Sequence, residues 1–190
     1  MKIPESICVF RLSSLGDIVL TTVLLRRLRR QYPQAYIVMV VAEQYYEAVR
    51  FNIHCSAIVT VHTKNGLKGL LEARRKILAF TQGKKFDVVI DLHKNIRTAL
   101  LKFSLGKTYY SIDKFRKQKL ELVHRKIGKG QEIIHIVERY FKAVDDLHLT
   151  PDNEGAEIWT LTDFEHKEYR AFREKTTDIR IAVAPGARHF

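Results

Sequence analysis

SICVFRLSSLGDIVLTT, residues 6–22, joins a short apolar run to a helical pattern through two hydroxyls, a glycine and one carboxylate. Ser6–Leu12 reads as a buried strand. Asp17–Tyr32 reads as a helix, stopped by Pro33, which offers no backbone N–H. Leu20, Leu24, Leu25 and Leu28 recur at helical spacing, with Arg26, Arg27, Arg29 and Arg30 expected on the other side. Between strand and helix the pattern predicts a tight turn on Gly16, with Asp17 at its exit. Two readings of Asp17 stand side by side: a helix cap, or a base held at the rim of a cleft.

The same strand–helix alternation continues downstream. Tyr36–Val41 and Ala57–His62 read as strands, separated by a short helix near Glu43–Arg50. Leu67–Thr81 reads as a basic helix, Phe86–Leu92 as a fourth strand, Asn95–Ser104 as a helix and Thr108–Ile112 as a fifth strand. Residues 113–130, DKFRKQKLELVHRKIGKG, have weak periodicity and predict a loop or irregular helix. Ile133–Leu147 reads as an amphipathic helix, Thr150–Gly155 as a turn-rich link, Glu157–Leu161 as a strand and Thr162–Lys175 as a helix. Asp178–Ala184 reads as a last strand running into Pro185-Gly186-Ala187.

Continuously apolar strands separated by helices predict an α/β fold, a Rossmann-like parallel sheet with helices on both faces. Such sheets carry their functional groups at the carboxyl ends of the strands. RLSSLGD ends the first strand, and DLHKNIRT, residues 91–98, ends the fourth, so both are expected on one edge. Residues 1–177 are expected to form one domain, with an interdomain segment at about 150–177. Residues 178–190 would be the first strand and turn of a second domain, truncated here.

Charge narrows the partners. The 190 residues carry a net +12, and residues 64–130 hold 18 Lys/Arg against 5 Asp/Glu. That band concentrates an anionic partner within a Debye length of roughly 8 Å. No apolar run approaches the roughly 18 residues that span a bilayer, and Arg11 cuts the first apolar run too early for a signal peptide. Cys8 and Cys55 form no C-x-x-C pair, which fits a reducing cytoplasm.

The chemistry-bearing residues exclude several classes. There is no G-x-x-x-x-G-K-[ST], and Leu15-Gly16-Asp17 lacks the further glycines of a dinucleotide fingerprint. The eight histidines are scattered without ligand spacing, so no metal site is expected. What remains at the first turn is Ser13, Ser14 and a carboxylate at a helix N-terminus, where the helix dipole favours the ionised form. An ionised, positioned carboxylate can take a proton from a sugar hydroxyl. At the second turn, His93, Lys94, Asn95 and Arg97 present several hydrogen-bonding groups suited to a polyhydroxylated or anionic ligand. Individually each has a bland reading, Asn95 as an N-cap and Arg97 as a surface ion-pair partner.

RLSSLGDIVLTT, LLRRLRRQYP, VVIDLHKNIRT, HIVERYFKAV and the closing IAVAPGARHF together resemble the ADP-heptose:lipopolysaccharide heptosyltransferases, inverting glycosyltransferases of the GT-B fold. The resemblance implies that the chain is their N-terminal, acceptor-binding half. It implies Asp17 as the general base, Ser13, Ser14 and Gly16 as the turn shaping its site, and Asn95 and Arg97 as cleft residues near the acceptor. His93 shares that cluster as a candidate substrate-binding residue. It implies a nucleotide-sugar donor, ADP-heptose, with no metal or other cofactor, and a donor-binding half opened by Pro185, Gly186 and Ala187. The 190 residues alone would then be inactive in transfer.

The partners so implied are an anionic lipopolysaccharide core or lipid A acceptor and an anionic membrane face. The location would be cytoplasmic, peripheral at the inner face of the cytoplasmic membrane. Two departures stand out: Val23 where many relatives have proline, and Lys94 where glycine is common. A different class of reading is a basic α/β module binding nucleic acid through RRLRR, KFRKQK and HRKIGKGQ, although no recognition helix or RNP-type sheet is visible and no nucleic acid is expected. A third is a catalytically inactive, truncated domain that only binds acceptor.

Overall fold

In the computed structural model, residues 3–113 and 134–159 are described. All of them belong to one compact unit, Met1–Trp159. Five strands, β1 (Ser6–Phe10), β2 (Tyr36–Ala42), β3 (Ala57–Val61), β4 (Phe86–Asp91) and β5 (Gly106–Ser111), form one sheet in the order β3-β2-β1-β4-β5. Every neighbouring pair is parallel. Among the described residues four α-helices accompany it: α1 (Leu15–Gln31), α2 (Gly66–Phe80), α3 (Ile96–Lys102) and α4 (Ile136–Lys142).

Alternate strand residues feed two separate cores, which is why the strands read as continuously apolar. Ile7, Val9, Ile37, Met39, Val88 and Ile90 face Leu24, Leu25 and Leu28 of α1 and Tyr140 and Phe141 of α4. Cys8, Phe10, Val38, Val40 and Val89 face Leu70, Ala73 and Ile77 of α2 and Leu101 of α3. Helices therefore cover both faces, as expected. The chain runs outward from β1 through β2 to β3, then returns to place β4 on the other side of β1. Between β1 and β4 the strand order reverses, and the crevice outside the carboxyl ends at that point is where open α/β sheets bind ligands.

The structure corrects several element boundaries. α1 begins at Leu15, two residues before Asp17, because Ser14 adopts extended geometry (φ −86°, ψ −179°) and takes the N-cap position. Gly16 is therefore helical, not a turn residue, and nothing lies within 4 Å of where its Cβ would stand. Glu43–Ala48 is a 3₁₀-helix. The helix expected over 133–147 is shorter: α4 ends at Lys142, and the chain tightens into a 3₁₀ turn at Asp145–Leu147 that keeps Val144 and Leu147 buried. Residues 157–159 join no strand. The Glu157 N–H donates instead to Thr22 Oγ1 at 2.9 Å, so side chains of α1 hold this segment. All of the stretch 113–130 but Asp113, the last two residues of the strand expected at 157–161, the helix at 162–175, the strand at 178–184, the Pro185-Gly186-Ala187 turn and the boundary at 177/178 lie outside the described residues.

Arg26 is also corrected. Only 1% of its side chain is exposed, because the chain after Thr150 folds back over α1 and covers it with carboxylates. Arg29 donates to the carbonyls of His54, Pro33 and Ala35 and to Ser56 Oγ. Arg30 pairs with Asp152 and Glu154. Three of the four arginines of the RRLRR run are thus engaged by groups of the chain itself, and Arg26 is withdrawn from solvent altogether.

Gly69 is required by packing. A Cβ there would stand 2.2 Å from the His62 carbonyl oxygen, which is backbone and cannot swing aside. Gly69→Ala should destabilise the chain by about 1–3 kcal/mol. Gly16→Ala, in an open helical position, should be neutral or stabilising by about 0.5–1 kcal/mol. Urea unfolding of the two variants checks the order, and equal midpoints would contradict it.

Candidate functional site

The carboxyl ends of β1 and β4 are locked together. Phe10 pairs in register with Asp91, and the Leu92 N–H donates to the Phe10 carbonyl at 3.0 Å. The next side chain, Arg11, donates from Nη1 to the Leu92 carbonyl, forms an ion pair with Asp17, and stacks over the Tyr140 ring at 5.7 Å. Tyr140 in turn donates to the Asp17 carbonyl at 3.2 Å. One buried arginine thereby ties β1, β4, α1 and α4 to a single point.

Asp17 is the third residue of α1. Its Oδ2 accepts from Ser14 Oγ at 3.0 Å and from the Ser14 N–H at 3.3 Å, and the same oxygen meets Arg11. Oδ1 takes none of these contacts, and the side chain is about one-third exposed. Burial pushes the Asp17 carboxyl up, but the Arg11 guanidinium and the two Ser14 hydrogen bonds outweigh it and leave it below the usual carboxylate range. The group is thus ionised at neutral pH, fixed through one oxygen and open at the other. Asp17 closes the helix start, as the capping reading expects, and leaves Oδ1 outside these contacts.

The second turn is built on Asp91, only 1% exposed. Its Oδ1 accepts from the N–H groups of His93 at 3.0 Å and Lys94 at 2.7 Å, and Oδ2 pairs with Lys102 Nζ at 2.8 Å. Asn95 caps α3: its Oδ1 accepts from the Thr98 N–H at 2.9 Å, and its own N–H donates to Thr98 Oγ1 at 3.0 Å. Lys94 stands at φ +48°, in the left-handed region that favours glycine. That geometry accounts for glycine being common there in the proteins the motif resembles. Here a cation is held at the turn against its backbone preference.

An open groove of about 770 Å³ runs beside this turn, lined by Asp91, Lys94, Asn95, Ile96, Arg97, Ala99 and Lys102. Three cations against one carboxylate, itself paired, make the groove electropositive. Of the expected site residues, Asn95 and Arg97 line it, and His93 sits in the turn above it. Asp17, Ser13, Ser14 and Gly16 stand at the end of the neighbouring strand and are not among its lining residues. Among the described residues, no group of three or more His, Cys, Asp or Glu could hold a metal ion.

Sequence reasoning placed Arg11 and Asp91 within the two strand-end motifs without giving either a role, and it missed Lys102 and Tyr140 as parts of this edge. Arg11 carried a signal all the same: a charged residue directly after a buried apolar run must find a partner where the strand ends.

No family model and no curated relative matches the chain. Solved structures do. A glycosyl transferase of family 9 from Veillonella parvula DSM 2008 is 24% identical, with a TM-score of 0.70, over 92% of this chain and 51% of that one. The E. coli heptosyltransferase WaaC with ADP is 18% identical, with a TM-score of 0.58, over 80% of this chain and 50% of its own. The E. coli ADP-heptose lps heptosyltransferase II is 14% identical, with a TM-score of 0.59, over 88% and 50%. At these identities the likeness is one of fold. The chain spans about half the length of the structures it matches, and it has the Rossmann-like fold of one half of a glycosyltransferase.

Proposed function

We propose that this chain is the acceptor-binding half of an inverting glycosyltransferase. The enzyme would move heptose, or a similar sugar, from a nucleotide-sugar to an anionic, lipid-linked lipopolysaccharide core. The observation that carries this reading is that the ends of the neighbouring strands β1 and β4 hold, respectively, an ionised carboxylate with one oxygen left open and a groove lined by Lys94, Arg97 and Lys102. The WaaC structures, solved with ADP and with ADP-2-deoxy-2-fluoro heptose, support a nucleotide-sugar donor. The motif resemblance supports ADP-heptose and an acceptor held by this half.

The mechanism that follows is one displacement. An acceptor hydroxyl attacks the anomeric carbon, the bond from that carbon to the nucleoside diphosphate oxygen breaks, and the leaving group departs with the electron pair. Asp17 Oδ1 takes the hydroxyl proton. A carboxylate held below its usual range is a weak base towards a free alcohol, so the proton moves late, once the new C–O bond has made it acidic. Groups that neutralise the diphosphate belong to the donor half, and we expect no transfer from these 190 residues alone.

The reading is tested by calorimetric titration with a soluble phosphorylated core oligosaccharide and, separately, with ADP. Acceptor binding that weakens with added salt, with far weaker ADP binding, is expected. Tight ADP binding without an acceptor signal would overturn the assignment of halves. Lys94→Gly sharpens the test. It should leave stability unchanged or raise it by up to about 1 kcal/mol by relieving the left-handed backbone, yet lower acceptor affinity. A variant that binds the oligosaccharide as well as the parent would remove Lys94 from the site.

A further inference from the structure

α3 presents its side chains the wrong way round for a helix facing water. Thr98 and Leu101 are buried against the sheet. The opposite face, at i, i+4 and i+7 spacing, is Ile96, Leu100 and Phe103, and Ile96 and Phe103 are 81% and 75% exposed. α2 continues the apolar surface. Leu67, Leu71 and Arg74 share one flank at the same spacing, and Arg74 Nη1 donates to the Leu101 carbonyl at 2.6 Å, which sets that flank against α3. Leu67 and Leu71 are both more than half exposed.

Cations surround these residues. Lys64, Lys68, Arg75 and Lys76 are exposed on and before α2, and Lys94 and Arg97 are exposed at the start of α3. Residues 64–102 hold 10 Lys/Arg against 3 Asp/Glu. Exposed apolar side chains interspersed with cations on two neighbouring helices are the pattern of a surface that sinks shallowly into a bilayer with anionic headgroups. Among the described residues no helix is long and apolar enough to cross one.

We infer that the α2–α3 face, with Ile96, Leu100 and Phe103 at its centre, docks on an anionic lipid bilayer. Charge complementarity and continuity with the groove argue for this occupant. Ile96 and Arg97 belong both to the patch and to the groove wall, so a lipid-linked acceptor would enter the groove without leaving the membrane plane. The inference names a partner surface for the proposed acceptor site and in that respect rests on it. The patch itself is argued from exposure and charge.

The test is co-sedimentation of the full chain with vesicles of phosphatidylcholine containing phosphatidylglycerol, without donor or acceptor. Binding should rise steeply with phosphatidylglycerol, fall with salt and be weak on pure phosphatidylcholine. Ile96→Asp combined with Phe103→Asp should cut the partition coefficient about ten- to hundredfold. Lys68→Gln and Arg75→Gln should each cut it about fivefold. Both aspartates replace exposed side chains, so thermal unfolding should be unchanged, and Leu71→Ser serves as a second variant.

No binding to anionic vesicles, or aspartate variants that bind as the parent does, would overturn the inference. So would a dimer in sedimentation velocity that the same aspartates dissolve, which would make the patch an interface between copies. Phe103→Asp and Leu71→Ser, both outside the groove lining, should lose vesicle binding while titration by the soluble oligosaccharide stays intact; unchanged vesicle binding with that titration intact would overturn the docking face and leave the transferase reading standing.

Discussion

Arg26→Met should destabilise the chain by about 3–5 kcal/mol, the usual cost of removing one partner from a buried ion pair. Arg26 donates from Nε to Asp152 Oδ2 at 2.8 Å and from Nη2 to Asp152 Oδ1 at 2.6 Å, a two-pronged grip on one carboxylate. Nη2 also reaches the Gly155 carbonyl at 2.8 Å, and Nη1 lies 2.7 Å from Glu157 Oε1. The Asp152 side chain is only 8% exposed, so methionine would strand a carboxylate with little water to replace the guanidinium. Asp152→Leu added to Arg26→Met should recover part of the loss, because the stranded charge goes with it. Arg30→Met, which removes a half-exposed partner, should change little.

A local reporter exists. Trp159, the only tryptophan, packs edge-on against His54 at 5.3 Å in the same segment, so its emission follows release of residues 150–159 from α1. Urea unfolding read by that emission checks the ranking; equal midpoints for Arg26→Met and Arg30→Met would refute it. The pH dependence has a definite sign. The hydrogen bonds from Arg26 hold Asp152 down to about 2 from 3.8. That stabilisation is whole above pH 3.8 and is lost as pH falls towards 2, so the gap between parent and Arg26→Met should narrow over that window.

The sheet was legible because its central strands β1, β2 and β4 are buried on both faces, so that runs such as YIVMVV are continuously apolar. The shared edge was legible for the same reason: topology, not detail, carries β1 and β4 to it. Arg26 was not. Its spacing from Leu25 and Leu28 puts it beside the apolar stripe, but only a segment about 126 residues away makes burial tolerable, and no local pattern announces that. The strand expected at 157 failed likewise, since its backbone found α1 side chains before a sheet partner. Gly16 and Lys94 show the limits of reading turns by residue type. The glycine is helical and the lysine occupies the left-handed position. Asp17 was legible as a choice between two roles; the structure shows the helix cap, and the base is the role proposed for it.

Asp17→Asn should lower the turnover of the complete enzyme by about 10²–10⁴-fold, the span that a positioned general base supplies. The substitution keeps the shape and an oxygen to accept from Ser14, but it removes the charge that draws a proton. It also leaves the Arg11 guanidinium without its carboxylate, so some loss of stability is expected with the loss of rate. Ser14→Ala separates the two effects. It removes the Oγ contact at 3.0 Å and should cost about 1 kcal/mol of stability as a cap deletion, while the carboxylate and its Arg11 partner remain. If Asp17 only closes the helix, the two variants should lose activity in proportion to stability. If Oδ1 takes the proton, Asp17→Asn should fall far below that line with substrate KM little changed. The pH profile adds an independent sign. A base must be deprotonated to act, and Asp17 is held below 3.8, so the rate should show no acid limb from this group between pH 5 and 8. Arg11→Met, which removes the main influence lowering Asp17, should move the acid limb upward. An unmoved limb would take the proton-accepting role away from Asp17 even if Asp17→Asn proved inactive.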